Sequence, residues 1–158
     1  MKSPHEEPPA KWAGLPSWLL TQTANHAGHL VAAGFSSVGA RGYHYRLLAT
    51  LEEFGPASQA ALGRRNGIHL SDMVAAVNEL EAGGYVERSP DPADRRRNVI
   101  TVTAAGRERA TQLDHSVRAV QQELLEPLDD EERSELSALL RKLLDHHRQG
   151  IPPLPGGE

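Results

Sequence analysis

The 158-residue sequence contains no cysteine, so disulfide bonds and thiol-based redox sensing are excluded for this chain. Aromatic residues make up only 4% of it. It has no uninterrupted apolar run of about 18 residues, the length that a transmembrane helix needs. Residues 1–7 are polar and charged and lack the apolar core of a signal peptide. We therefore expect no membrane-spanning helix and a cytoplasmic location.

Recognisable catalytic motifs are also missing. The sequence has no glycine-rich phosphate loop, no nucleophile elbow and no paired His-Glu motif of a metalloprotease. Among its eight histidines, His26 and His29 are three residues apart and His146 and His147 are adjacent. Neither pair has a carboxylate at ligand spacing. We predict that the protein is not an enzyme and needs no cofactor, and a metal-responsive regulator stays an alternative.

The formal net charge is -4, which is not typical of a general nucleic-acid-binding protein. The charges are unevenly distributed, however. Acidic residues concentrate between Glu123 and Glu135, whereas three consecutive arginines occupy positions 95–97. A protein that is acidic overall can still bind DNA through a locally basic surface.

Residues 56–103 have the pattern of two short helices followed by a β-hairpin. Ser58 suits the N-cap of a helix over about 59–65, which Asn66-Gly67 would end. Apolar spacings of three and four predict a second helix over about 70–82. Two helices joined by a short turn form a helix-turn-helix, whose second helix enters the DNA major groove. The apolar positions of that second helix are Met73, Val74, Val77 and Leu80, with Ala76 as a further candidate.

The hairpin has an arginine-rich tip. Residues 85–89 and 98–102 are rich in β-branched and aromatic side chains and are predicted to be its strands. The loop 90–97 carries the three arginines, and gathering three guanidinium groups is unfavourable unless an anion meets them. A narrow DNA minor groove attracts arginine in this way. Asp94 is placed to hold one guanidinium in a bidentate pair.

Taken together, these motifs resemble the MarR family of transcriptional regulators, over roughly residues 15–148. The resemblance implies a mostly α-helical fold with a small β-hairpin wing, in which a winged helix-turn-helix is flanked by dimerisation helices. It also implies a homodimeric repressor of a palindromic operator in double-stranded DNA, released by a small aromatic or acidic effector. The matching residues are Gly55-Pro56, Ser58-Gln59, Leu62, Gly67-Ile68, Leu80-Glu81, Gly84-Tyr85-Val86-Glu87-Arg88, Asp91-Pro92, Asp94-Arg95-Arg96, Val102-Thr103 and Gly106.

Several positions depart from the pattern of that family. Its members often have an acidic residue where Ala61 stands, and usually have alanine at Gly63 and leucine at Asn66. Before the second helix they commonly have aspartate and arginine, where this chain has His69 and Leu70. The DNA-reading side is therefore altered, and the alternative function is a protein-interaction module that has kept the fold.

The flanking segments complete the expected organisation. A mobile arm (1–14) precedes N-terminal helices in 15–55, which are expected over about 15–33 and 40–54. The inner face of the second of these helices is predicted to consist of Leu47, Leu48, Leu51 and Phe54. C-terminal dimerisation helices occupy 104–148, and a disordered tail follows at 149–158. The apolar stripes of the C-terminal helices are too wide for a small monomer to cover, so the sequence predicts a homodimer.

Two sets of site residues follow. The resemblance suggests that the effector binds near residues with stacking or hydrogen-bonding side chains. Helical spacing to Leu48 and Leu51 places His44 on the inner face of its helix, so it could equally be a structural histidine satisfied by one hydrogen bond. The predicted effector residues are Trp18, Asn25, His29, Tyr43 and His44. The predicted DNA contacts are Ser58, Gln59, Arg64, Arg65, His69, Leu70, Ser71, Asp72, Asn78, Asp94, Arg95, Arg96 and Arg97.

Overall fold

A computed structural model of the protein describes residues 8–148. The predictions for residues 1–7 of the arm and for the tail 149–158 lie outside that range. The chain divides into two compact units, with the boundary after Val120. The elements are α1 (Ala10–Ala13), α2 (Pro16–Ser36), α3 (Gly42–Phe54), β1 (Ala57–Ser58), α4 (Gln59–Asn66), α5 (Leu70–Ala82), β2 (Val86–Pro90), β3 (Asn98–Val102), α6 (Ala104–Leu124) and α7 (Asp130–Arg148).

The first unit has a single apolar core that holds the helix-turn-helix in place. Leu47, Leu48 and Leu51 of α3 lie at its centre and are at most 2% exposed. Their spacing of three and four residues puts all three on one helix face. The partners of this face include Leu62 of α4, Met73, Val77 and Leu80 of α5, Ile100 of β3 and Leu113 of α6. Because α4 and α5 bury these residues, their opposite faces are left at the surface.

Two residues assigned to apolar inner faces are in fact exposed. Val74 is 38% exposed, because it lies one turn after Leu70 on the outer face of α5. The buried face of α5 instead uses Ala76 with Met73 and Val77. Phe54, the last residue of α3, is 57% exposed. These two predictions were wrong, since periodicity does not decide between positions at the edge of a helix face.

The sheet has three strands instead of the two that the hairpin pattern predicted. Its order is β1-β3-β2 and all neighbours are antiparallel. The added strand, β1, pairs Ala57 with Ile100 and Ser58 with Val99. Because Ser58 is also the N-cap of α4, this pairing fixes the base of the wing beside the start of α4.

Helix α6 begins in tight contact with the turn that leads into the wing. The Thr103 hydroxyl donates to the Gly84 carbonyl oxygen at 2.6 Å and accepts the Gly106 N–H at 3.0 Å. A Cβ atom on Gly106 would lie 2.0 Å from the Tyr85 carbonyl oxygen. Only glycine can be accommodated so close to the Tyr85 carbonyl, which accounts for Gly106 in the motif.

The second unit holds the end of α6 and the amphipathic helix α7. A reciprocal capping box starts α7: the Asp129 carboxylate accepts the Glu132 N–H at 2.9 Å, and the Glu132 carboxylate accepts the Asp129 N–H at 3.0 Å. Its leucines are exposed on the single chain: Leu139 by 53%, Leu140 by 41%, Leu143 by 48% and Leu144 by 50%. No helix within residues 8–148 is both long and apolar enough to cross a lipid bilayer.

Candidate nucleic-acid interface

The first turn of α5 presents an open surface. Leu70 is 67% exposed, and Ser71 and Asp72 beside it are exposed as well. His69 occupies the N-cap position, and its side chain makes no capping hydrogen bond within the described residues. The N-terminal turn of a recognition helix is the part that meets base edges in a helix-turn-helix protein. All four residues were predicted as DNA contacts and lie on a surface that could serve this purpose.

Asn78, a fifth predicted contact on α5, is held by the wing. Its side-chain oxygen accepts a hydrogen bond from the guanidinium of Arg88 on β2, and the same guanidinium donates to Glu81 at 2.9 Å. The Arg88 Nε is buried and has no hydrogen-bond partner among the described residues. Arg88 therefore joins α5 to the wing, a role that the sequence did not predict although Arg88 is one of the residues that match the MarR pattern.

Helix α4 begins and ends as predicted. The Ser58 hydroxyl accepts the Ala61 N–H at 3.2 Å, and Gly67 ends the helix with a positive φ of 62°. Asn66 donates to the Leu62 carbonyl at 2.9 Å and accepts from the Thr50 hydroxyl at 3.1 Å. Asparagine in place of the usual leucine therefore links α4 to α3 by one hydrogen bond.

A cleft of about 240 Å³ separates the start of α4 from the base of the wing. Two guanidinium groups and the N-terminal end of α4 contribute positive charge there, and helix N-termini with free N–H groups favour anions such as phosphate. The cleft is lined by Ser58, Gln59, Ala60, Arg64, Arg97 and Asn98. The structure thus brings together four predicted DNA contacts from two elements that are far apart in sequence.

Arg65 has a different environment from Arg64. Its guanidinium lies 3.7 Å from the centre of the exposed Phe54 ring. This cation–π contact favours one orientation of the arginine side chain. It also covers one side of Phe54, an aromatic ring that would otherwise meet water.

The wing tip is ordered by its own hydrogen bonds. Asp94 accepts from the Arg96 backbone N–H and Nε at 3.1 Å each, and from Nη2 at 3.4 Å. The predicted bidentate pair is confirmed, and the Arg96 side-chain hydrogen bond lowers the pKa of Asp94 below its ordinary value. The Asp91 N–H donates to the Arg97 carbonyl at 2.8 Å and closes the loop. Arg95, Arg96 and Arg97 are all exposed, so the wing tip presents three arginine residues at the surface.

The five predicted effector residues occupy varied environments. Trp18 packs edge-on against Trp12, with ring centroids 5.3 Å apart. Asn25 and His29 are exposed on α2, and Tyr43 is 38% exposed at the start of α3.

His44, the fifth of these residues, is committed to contacts within the chain. Its Nδ1 accepts the Arg41 N–H at 3.3 Å, and its Nε2 lies 2.8 Å from the Glu79 carboxylate. His44 therefore has two hydrogen-bond partners, whereas the sequence-based interpretation of it as a structural histidine expected one.

A cavity of about 430 Å³ lies between α3 and α6, and its lining includes none of these five residues. Within it the Tyr45 hydroxyl donates to Asp114 at 3.1 Å. Burial, reinforced by this hydrogen bond, raises the pKa of Tyr45. The sequence did not predict this cavity because its walls come from distant helices. It is lined by Tyr45, Ala49, Glu52, Glu53, Ala110, Thr111 and Asp114.

Across residues 8–148, no three histidine, aspartate or glutamate side chains gather into a set that could hold a metal ion. The adjacent His146 and His147 rings contact each other edge-on, 5.0 Å apart.

Two helices joined by a short turn, with a three-stranded sheet ending in an exposed loop, define a winged helix-turn-helix protein. Residues 39–97 match the family model described as the MarR family. The chain is 31% identical over 98 residues to the HTH-type transcriptional repressor NicR of Pseudomonas putida, an alignment that covers 62% of each protein. The chain spans about three fifths of the length of such curated relatives. Within residues 39–97 the chain is thus similar to the MarR family, and the relatives that it matches are transcriptional regulators.

Solved structures share the fold. BpsR of Bordetella bronchiseptica, described in a study of how 6-hydroxynicotinic acid regulates its DNA binding, has a TM-score of 0.75 and 22% identity, covering 87% of this chain and 99% of BpsR. A cysteine-to-serine mutant of MarR from E. coli, complexed with operator DNA, has a TM-score of 0.70 and 22% identity, covering 81% of this chain and 92% of that one.

Proposed function

We propose that this protein is a homodimeric, ligand-responsive transcriptional repressor that binds a palindromic operator in double-stranded DNA. The single observation that carries the proposal is that one chain exposes both an ordered arginine wing tip and the first turn of α5. In support, the relative NicR is named a transcriptional repressor, and the structural neighbours were solved in studies of DNA binding. The fold supplies both surfaces that a winged helix uses on a duplex.

The two surfaces would play different roles on DNA. In this proposal α5 enters the major groove, where Leu70 can meet a thymine methyl group. The wing arginines enter the adjacent minor groove, and the cleft between Arg64 and Arg97 takes a backbone phosphate. Phosphate contacts hold the register and base contacts read the sequence.

The homodimer is supported by apolar surface that a single chain leaves open. Leu15, Leu19 and Leu20 at the start of α2 are 50%, 47% and 43% exposed, and four leucines of α7 are exposed to a similar degree. Burying such surface contributes about 25 cal/mol per Å². A two-fold dimer would also space two recognition helices about one DNA turn apart. Sedimentation of the purified protein tests this: a monomer at micromolar concentration would contradict the proposal.

The effector is proposed to be a small aromatic or acidic molecule held near Trp18, Asn25, His29 and Tyr43. His44 belongs to the same proposed group, but an effector could use its ring only by displacing Glu79 or the Arg41 N–H. Trp18 packs on Trp12, so its fluorescence should change on binding. Titration with an aromatic acid such as 6-hydroxynicotinate tests the site: the proposal expects saturable quenching that Trp18→Phe reduces, together with release of DNA.

A salt titration tests DNA binding by the wing. Each phosphate contact adds about 0.9 to the slope of log affinity against log salt concentration. Arg95→Ala removes one guanidinium from each subunit, so the slope of a dimer should flatten by about 1.8 while affinity falls. Arg96→Ala should act in the same direction. Arg118→Ala is the matched control, because it removes an exposed arginine of α6 that pairs with Asp114. Wild-type binding by both wing variants would refute the proposal.

A second candidate is a protein-interaction module that has kept this fold. It is favoured by the surface chemistry of α5, where exposed Leu70 and a histidine without a capping bond replace residues usual in the family. The same titration separates the two functions. Weak binding with a flat salt response, in the wild-type protein itself, would favour the interaction module.

A further inference from the structure

The recognition helix is held at a second place, on the side that faces the start of α3. Glu79 lies in the C-terminal half of α5, beyond the first turn that is proposed to read DNA. One of its carboxylate oxygens lies 3.3 Å from the Arg41 guanidinium, and the other lies 2.8 Å from Nε2 of His44. Both oxygens of this carboxylate are therefore engaged by residues of one neighbouring segment.

The hydrogen bonds fix the tautomer of neutral His44. Its Nδ1 accepts the backbone N–H of Arg41 at 3.3 Å, so Nδ1 cannot carry the proton. The proton then lies on Nε2, which donates to Glu79. One imidazole ring thus caps the start of α3 and binds α5 at the same time. We call Arg41, His44 and Glu79 the α3–α5 brace.

The two contacts of the brace are unequal in strength. The His44 side chain is only 12% exposed, whereas the Arg41 side chain is 70% exposed. Solvent and salt screen an exposed ion pair strongly, and such pairs contribute little on their own. The hydrogen bond from the less exposed His44 is therefore the stronger part of the brace, and Arg41 adds charge to it.

We propose that His44 and Arg41 are positioning residues, which set the orientation of the recognition helix through Glu79 and so determine sequence specificity without touching DNA. This proposal rests on the proposed function. Apolar packing of Met73, Val77 and Leu80 holds α5 on the core but is not directional. Hydrogen bonds are directional, so the brace restrains rotation of the helix about its own axis. Base recognition requires side chains placed to within about 0.5 Å.

The test compares specific with non-specific binding. The specific probe is a duplex that the wild-type protein selects in vitro from random sequence, and the reference is a scrambled duplex of the same composition. Glu79→Ala removes the brace, and His44→Phe keeps a ring but loses both hydrogen bonds. Glu108→Ala, an exposed carboxylate of α6, is the matched control for the change in charge.

Loss of the brace should affect only the specific complex. For Glu79→Ala and His44→Phe we expect the ratio of specific to non-specific affinity to fall about fivefold, the effect of roughly 1 kcal/mol. Non-specific affinity should keep the salt dependence of the Glu108→Ala control, since phosphate contacts are unchanged. The ratio should fall no further in the double variant than in either single variant, because both substitutions remove the same contact between His44 and Glu79. His44→Gln should keep part of the ratio, since the glutamine side chain can both accept a hydrogen bond from the Arg41 N–H and donate one to Glu79.

Two results would overturn the proposal: an unchanged ratio in both variants, or an equal loss of affinity for both duplexes, which a merely structural role would produce. Hydrogen exchange without DNA separates this proposal from the proposed function. Amides of residues 70–82 should exchange faster in Glu79→Ala and His44→Phe than in wild type or the control. If the wild-type protein selects no DNA sequence, the proposed function is wrong. The brace is tested independently of that result, because unchanged hydrogen exchange of residues 70–82 in both variants would refute it.

Discussion

Replacing Gly106 by alanine should separate α6 from the wing. The new Cβ would lie 2.0 Å from the Tyr85 carbonyl oxygen and 2.7 Å from a methyl group of Val102. The carbonyl oxygen cannot move away easily, because it also accepts the Thr103 N–H at 3.0 Å. The clash is therefore with fixed backbone and must be relieved by a shift of the helix or of the turn.

The magnitude follows from these contacts. Overpacking a close-packed site costs about 1–3 kcal/mol, and a backbone clash belongs at the upper end. Alanine regains up to about 1 kcal/mol over glycine in a helix. The net loss in the free energy of unfolding is then about 2 kcal/mol, which lowers the Tm by roughly 4–8 °C for a protein of this size.

Thermal unfolding followed by circular dichroism measures this effect, at one fixed protein concentration. Gly28→Ala is the matched control, because Gly28 lies within α2 and a Cβ there has nothing within 4 Å. The higher helix propensity of alanine should raise the free energy of unfolding of Gly28→Ala by about 1 kcal/mol. The two variants should therefore shift the Tm in opposite directions. A Gly106→Ala variant that melts at or above the wild-type temperature would refute the packing argument.

Two further predictions concern hydrogen bonds of α6 and α3. Thr103→Val loses the N-cap of α6 and the bond to Gly84, so the same melt should show a loss of about 1 kcal/mol; an unchanged Tm would count against this role. Burial raises the pKa of Tyr45, so above a pH of about 10 the unfolded chain loses the phenolic proton before the folded one does. Stability should therefore fall as pH rises through that range, and urea unfolding of Tyr45→Phe should show a smaller fall; an equal fall in both proteins would show that Tyr45 is not responsible.

The features that the sequence predicted correctly depend on neighbouring residues. The cap at Ser58 and the stop at Gly67 act within a few residues of the helix that they delimit. The pair between Asp94 and Arg96 spans two positions of one loop, so the order of the wing tip could also be inferred before the structure was known.

The features that were missed depend on residues far apart in the chain. Strand β1 has only two residues, and its identity as a strand comes from pairing with Ile100. Helical periodicity placed His44 on the inner face of α3, but its partner Glu79 is 35 residues away. Arg88 likewise acts through Asn78 and Glu81 of α5. Each contact exists only because the fold brings two elements together.

The central claim is that exposed arginine wings of a two-fold dimer enter the minor groove on either side of the recognition helices. Hydroxyl-radical footprinting on the selected duplex tests it most directly, since this reagent reports protection of the minor groove. The account predicts symmetrical protected patches flanking the centre of the site, which Arg95→Ala weakens and Arg118→Ala leaves intact. A wild-type footprint without flanking minor-groove protection, or patches unaffected by Arg95→Ala, would contradict it.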